Sequence, residues 1–335
     1  MDMDISLVWA GIIFFSVMMY VVMDGFDLGI GILYPFVADR YDRDVMMNTV
    51  APVWDGNETW LVLGGAGLLA AFPLAYAVVL SALYLPLIFM LLGLIFRGVA
   101  FEFRFKALDH ERHIWDKAFI GGSIVAAFFQ GVALGAYING IPVVDRAYAG
   151  GAMDWLTPFS LFTGVGVVVA YSLLGSTWLI MKTEGELKKR MIQITVPLAW
   201  LVVAMIVAVS IWTPLAFPGI AERWFKMPNM LYLSPIPLLV ALSIFLLMQE
   251  LRKGSDVAPF LTALALIFLG YIGLSISIWP NIIPPDISIW AAAAPRGSQI
   301  FTLVGTVIII PIILIYTVWA YYVFRGKVRH GDGYH

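Results

Sequence analysis

Nine long apolar runs, separated by short polar segments, fill almost all of this 335-residue sequence. They lie at Ile5 to Phe36, Asn57 to Phe72, Tyr76 to Phe103, Ala118 to Asn139, Pro158 to Met181, Ile192 to Trp212, Leu233 to Met248, Pro259 to Trp279 and Ile300 to Phe324. A helix rising about 1.5 Å per residue needs roughly 20 apolar residues to cross a hydrocarbon core about 30 Å thick. Only the second and seventh runs are shorter than that. Charged residues make up 13% of the chain, against about 25% in a soluble domain. The pattern predicts an all-α polytopic membrane protein, with residues 1–335 forming a single integral membrane domain. The first run outlasts a signal peptide and lacks a small-residue cleavage site, so it reads as a retained span. No outer loop is long enough for a separate domain, and no low-complexity tract or internal repeat is evident.

Nine spans place the termini on opposite sides, and basic residues favour the cytoplasm. With the N-terminus outside and the C-terminus cytoplasmic, the inner segments carry 15 Lys and Arg, among them Arg40, Arg43, Arg104, Lys188 and Arg252. The outer loops carry 4, namely Arg146, Arg223, Lys226 and Arg296. Arg97 falls inside a span. The bias supports both the direction and the count. Outer connections are rich in breakers, such as Pro214, Pro218 and Pro228.

Acids at membrane depth are costly, and each is by default a functional candidate. Asp24 and Asp27 stand in Asp24-Gly25-Phe26-Asp27-Leu28-Gly29 near the end of the first run. Asp24 is 19 residues beyond Ile5, or about 28 Å along a helix, which predicts a position near the cytoplasmic boundary. Asp55 and Glu58 open the second helix from that side, and Glu102 ends the third. Three acids from consecutive helices, Asp24, Asp55 and Glu102, thus fall at similar depth, as proton uptake from the cytoplasm requires. Asp24 and Asp27 share a helix face by their i,i+3 spacing. The competing reading is structural. Such acids can simply meet water or pair with Arg40, Arg97 or Arg104, and Glu58 in a first turn suits the helix dipole. That reading weighs more for Asp27 and Glu58. Gly25 and Gly29 form a small-xxx-small pair that predicts close helix packing, and Gly31, Gly64, Gly65 and Gly67 read likewise.

What is missing narrows the chemistry. The chain has no cysteine, which excludes disulfides, thiolate haem ligation and iron–sulfur clusters here. The four histidines, His110, His113, His330 and His335, all fall outside the spans. Methionine is abundant, but its common role is apolar packing. No haem or metal held by this chain alone is expected. No nucleophile–base motif or nucleotide fingerprint appears, so no catalytic residue is assigned. A net charge of −2 argues against a nucleic-acid partner.

The acidic motif at Asp24–Gly29 resembles subunit II of the cytochrome bd quinol oxidases. So do Ala51-Pro52-Val53-Trp54-Asp55-Gly56-Asn57-Glu58-Thr59-Trp60, Phe96-Arg97-Gly98-Val99-Ala100-Phe101-Glu102-Phe103-Arg104, and Pro311 to Trp319 in the last span. The compact length looks like the cyanide-insensitive branch. The resemblance implies nine transmembrane helices, arranged as two four-helix bundles (5–139 and 158–279) and a peripheral ninth helix (300–324). It implies a bacterial cytoplasmic (inner) membrane location and a similarly folded subunit I, which binds two b-type haems and haem d and oxidises quinol from the pool. Very small single-span subunits can join the complex, and a structural quinone can sit in subunit II. Subunit II would support assembly and line part of the proton route on acids matching Asp24 and Asp55. Glu102 aligns with a further family acid, whereas Glu58 departs from relatives that carry Gln. The implied reaction oxidises two quinols and reduces one dioxygen to two waters with cytoplasmic protons, making a membrane potential without a pump. A proton-coupled secondary transporter and a purely structural membrane partner are the alternatives. A transporter site, however, favours the midplane and paired broken helices.

Overall fold

The computed structural model describes residues 4–332, so His335 lies outside the described residues. Among those residues, nine helices of 18 residues or more follow one another: α1 (Ile5–Leu33), α2 (Trp54–Ala71), α3 (Pro73–Arg104), α4 (Arg112–Asn139), α5 (Pro158–Lys182), α6 (Gly185–Ala216), α7 (Pro235–Lys253), α8 (Ala258–Ile278) and α9 (Arg296–Val323). Eight are long and apolar enough to cross a membrane. The exception is α2, which begins three residues before the apolar run and so carries Trp54-Asp55-Gly56-Asn57-Glu58 in its opening turns.

Local sequence sets the helix ends. Asp4 caps α1 by accepting from the Leu7 N–H at 3.2 Å, and Pro35 stands in the 3-10 turn Tyr34–Phe36 that follows it. Thr157 and Ser160 form a reciprocal capping box at the start of α5, with Pro158 in its first turn. Pro86 lies within α3 and cannot donate to the Ala82 carbonyl, and the backbone leaves helical geometry at Leu83. Between α4 and α5, strands β1 (Val143–Val144) and β2 (Ala147–Tyr148) pair antiparallel. Asp145 and Arg146 turn between them with positive φ, as a two-residue I′ hairpin requires. A second small hairpin, β3 (Asn281–Ile283) with β4 (Ile287–Ser288), separates α8 from α9.

The inner third of α1 is the centre of the core. Every residue from Met23 to Leu33 is buried, as expected of a helix segment covered on all sides. It packs against α2, α4 and α5. The glycine pair explains how α5 comes so close. A Cβ on Gly29 would lie 1.9 Å from the Tyr171 carbonyl oxygen, and one on Gly175 would lie 2.5 Å from the Gly29 carbonyl carbon. The backbones of α1 and α5 therefore touch where both helices have only hydrogen, as the sequence predicts for Gly29. Gly93 and Gly122 bring α3 and α4 together in the same way. By contrast, α9 lies at the periphery and buries only Gln299.

Short polar segments close the end of the bundle at which α1 and α3 finish. The helix Arg40–Asn48 is capped by Asp39 and held over α3 and α4 by ion pairs. The buried Arg104 guanidinium reaches both Asp44 and Asp116, and Arg43 joins Asp116 at 3.0 Å. The tail beyond α9 crosses the same side. Lys182 donates to the Phe324 carbonyl, Val328 donates to the Lys182 carbonyl at 2.9 Å, and Arg329 pairs with Glu184 at 2.7 Å. Asp256, in the α7–α8 turn, receives both Lys188 and Lys327, and His330 meets Asp42 at 2.8 Å.

Two outcomes follow. Gly29→Ala should separate α1 from α5, costing at least the roughly 1–3 kcal/mol of an overpacked core. It should appear as a lower unfolding temperature and yield of the purified complex. Asp256 tests the tail. Hydrogen bonds from Lys188 and then Lys327 hold its carboxyl below the ordinary aspartate range. A depressed value stabilises the folded form above the ordinary value of about 3.9, and that contribution disappears as pH falls through the folded value. A nitroxide on Gly326→Cys, unique in a chain without cysteine, should become mobile below about pH 4. In Asp256→Asn it should already be more mobile at neutral pH, by the modest margin of a surface pair of about 1 kcal/mol or less.

Candidate functional site

Arg97 is the anchor of the site. It lies seven residues before the C-terminal end of α3 and has no exposed side-chain surface. Its Nη1 donates to Asp24 Oδ1 of α1 at 2.6 Å, and its Nη2 donates to Glu58 Oε1 of α2. Asp24 is 1% exposed, while Glu58 keeps 26% of its side chain accessible. The guanidinium fork thus spans two carboxylates from two helices. Asp27, one turn further along α1, is fully buried but has no cation. Its Oδ2 accepts from Asn57 Nδ2 at 2.8 Å, and Asn57 Oδ1 accepts from the Tyr321 hydroxyl of α9 at 2.9 Å. A small cleft of about 10 Å³ lies beside Asn57 and Tyr321, between α2 and α9.

Several polar atoms in this region have no hydrogen-bond partner: Asp24 Oδ2, Asp27 Oδ1, Arg97 Nε, the Tyr20 hydroxyl and Trp60 Nε1. Buried polar atoms are normally satisfied, so this cluster of unpartnered atoms sets the region apart from the rest of the core. Asp24, Asp27 and Glu58 thus gather near one guanidinium, which pairs with Asp24 and Glu58.

The acids expected from the sequence do not all meet. Asp24, Asp27 and Glu58 converge on the Arg97 region. Asp55 lies on the exposed face of α2, where its carbonyl accepts from the Thr59 hydroxyl at 3.1 Å. Glu102 is 57% exposed and pairs with Lys106. Depth along a helix is legible from rise per residue, whereas rotation about its axis is not. The pairing of Asp24 with Arg97 was one of the readings left open. The contacts of Asn57 and Tyr321 were missed, because an amide and a phenol in a span carry no charge to draw notice.

The histidines among the described residues lie away from the Arg97 site. His110 and His113 stand exposed around the start of α4, and His330 lies in the tail. The larger surface cleft, about 520 Å³, is lined by Ala208, Ile211, Trp212, Leu215 and Ala216 and offers no imidazole, thiolate or methionine sulfur. Asp39, Asp42 and His330 bring ligand-type atoms within 4.8 Å of one another. There, Asp39 caps the Asp42 N–H and Asp42 receives His330, which accounts for the grouping as a tail contact.

Fold and site together define a polytopic membrane subunit with a charged centre buried in its helix bundle. The family model for cytochrome bd terminal oxidase subunit II matches residues 5–324, and the chain belongs to that family. It is therefore a subunit of a quinol:oxygen oxidoreductase, a multi-pass protein of the bacterial inner membrane that works with a partner subunit in a haem-containing complex. The chain is 31% identical to the cytochrome bd-I ubiquinol oxidase subunit 2 of Escherichia coli K12, over 93% of this chain and 92% of that one. It is 29% identical to the cytochrome bd ubiquinol oxidase subunit 2 of Bacillus subtilis, over 92% and 93%. The bd oxidase structure from Geobacillus thermodenitrificans contains a chain of the same fold, with a TM-score of 0.76 and 15% identity, covering 96% of this chain and 98% of that one.

Arg97 supplies the test of the site. Arg97→Met leaves Asp24 and Glu58 uncompensated in the interior, a loss of about 3–5 kcal/mol for one partner of a buried pair. The expected result is a poorly assembled complex with a lowered unfolding temperature, and Arg97→Lys should recover part of it.

Proposed function

We propose that this chain is the haem-free subunit II of its oxidase and lines part of the path that carries cytoplasmic protons to oxygen reduction in subunit I. In this reading all nine long helices cross the membrane, with the N-terminus outside, as two four-helix bundles and a peripheral α9. The strong excess of Lys and Arg on one set of connections supports that orientation. The observation that carries the reading is the Arg97 site: carboxylates enclosed near the inner ends of α1 and α3, with oxygens left free. Asp24, Asp55 and Glu102 are the proposed route residues. Asp55 and Glu102 lie on the surface of the chain, where water or the partner subunit reaches them, and Asp24 lies within. The haems of subunit I would supply electron transfer from quinol to dioxygen. The two waters formed per dioxygen take their four protons from the cytoplasm, and quinol releases its protons outside, so the reaction charges the membrane without a pump. Buried packing against subunit I would also support its assembly. Small accessory subunits, a structural quinone and membrane lipid complete the expected surroundings.

Two experiments separate the readings. Copurification with a haem-bearing subunit is expected, and purification as an active haem-free complex would favour a proton-coupled transporter. In the assembled oxidase, Asp24→Asn and Asp55→Asn should largely keep the haem content while slowing oxygen reduction under turnover. Unchanged turnover in both would replace the proton route with a purely structural role.

A further inference from the structure

We infer that Glu58 is the relay acid through which a proton reaches Asp24, and that Arg97 changes carboxylate partners as the proton passes. The inference rests on the proton-route reading above and identifies the step that joins its exposed and buried acids.

Asp24 cannot exchange with solvent by itself. It lies nine residues, about 13 Å, short of the inner end of α1 and is covered on all sides. A proton must therefore arrive from a neighbouring side chain. Asp27 is equally enclosed, so it cannot be the entry. Glu58 holds the same guanidinium as Asp24 and retains surface. Asp55, three residues earlier on α2, lies in the exposed first turn, within i,i+3 reach of Glu58. The exposed and buried acids thus connect through one side chain that belongs to both sets.

The charges around this pair favour an exchange. The titratable and charged groups facing it are Asp24, Asp27 and Tyr20 from α1, Asp55 from α2, Arg97 from α3 and Tyr171 from α5, with Tyr321 of α9 linked through Asn57. Among the described residues, no basic side chain other than Arg97 pairs with Asp24, Asp27 or Glu58. A proton arriving by way of Asp55 neutralises Glu58, and the guanidinium charge then rests on Asp24. The Glu58 O–H next breaks as an O–H forms on Asp24 Oδ2, the oxygen that has no partner. Glu58 is then the ionised partner of Arg97. The net charge of the site is the same before and after this transfer, so moving the proton costs no further burial of charge.

Glu58→Gln in the assembled oxidase tests the relay. The amide oxygen still accepts from Arg97 but the side chain cannot carry the proton. The haem spectrum should remain that of the parent complex. Turnover, and proton uptake followed by a pH dye after an oxygen pulse, should fall by about 100-fold, the low end for a positioned proton-transfer group. Glu58→Asp should restore part of the rate with a displaced pH profile, which a merely structural contact would not produce. Parent-like turnover and uptake in Glu58→Gln, alongside slow Asp24→Asn, would overturn the relay while leaving the route intact. Parent-like Asp24→Asn and Asp55→Asn would instead remove the route itself. If Glu58→Gln loses haem, the pH profile of Glu58→Asp decides, and an unchanged profile overturns the relay.

Discussion

Burying Arg97 in an apolar helix bundle is tolerable because Asp24 and Glu58 both accept from it. Removing an ion from water costs several kcal/mol even after relaxation, and only well-placed counter-charges repay that cost. The counter-charges arrive on different helices, so the site exists only if α1, α2 and α3 are held at fixed spacing. The glycine contact of α1 with α5 provides one wall. Gly25 faces Tyr171 and Gly29 faces the backbone of Tyr171 and Gly175, which presses the Asp24 turn toward Arg97 and leaves no room for lipid behind it. Charge placement and helix spacing therefore depend on the same few residues.

Much of this was legible in the sequence, and the remainder fails for a definite reason. Apolar run length gives the long helices, although α2 needed its polar opening turns added. The spacing of Gly25 and Gly29 identified a close helix contact. None of these signals fixes the rotation of a helix about its axis. Asp55 and Glu58 differ by three residues, yet one lies exposed and the other reaches a guanidinium on α3. Glu102 and Arg97 share a helix but point to different surroundings. A carboxylate in a first turn has a sufficient local explanation in the helix dipole, so the sequence alone does not show that Glu58 reaches Arg97. The Asn57 and Tyr321 contacts leave no mark in composition, since neither residue is costly in a span when paired.

The basic residues at the end of the bundle where α1 and α3 finish also make ion pairs. Arg43, Arg104, Lys188 and Lys327 are each committed to carboxylates on neighbouring connections. Individually such pairs contribute little. Together they tie the Arg40–Asn48 helix to α3 and α4, and the C-terminal tail to the turns around α5, α6 and α8. The result is a polar deck across one end of the bundle, fastened at both halves of the chain. Arg104 stands two turns beyond Arg97 on α3, so the deck and the buried site share a helix. Between the two arginines lie Ala100 and Phe101, and Phe101 stacks on Trp54 and meets Phe119 edge-on.

That aromatic layer bears on how the buried acids communicate with the outside. Phe101, Phe119 and Trp54 form an apolar aromatic cluster beside the α3 stretch between Arg97 and Arg104, and none of them holds or releases a proton. The lateral direction differs. There the boundary of the site is a carboxylate, Glu58, with part of its surface open and Asp55 one turn away. An acid exposed to hydrocarbon is costly, so the surface bearing Asp55 and Glu58 must meet water or a polar protein face rather than lipid tails. By contrast, α9 presents Phe301, Val304, Ile308 and Ile315 outward, and these suit lipid. The chain's surface is thus polar beside the guanidinium fork and apolar along α9.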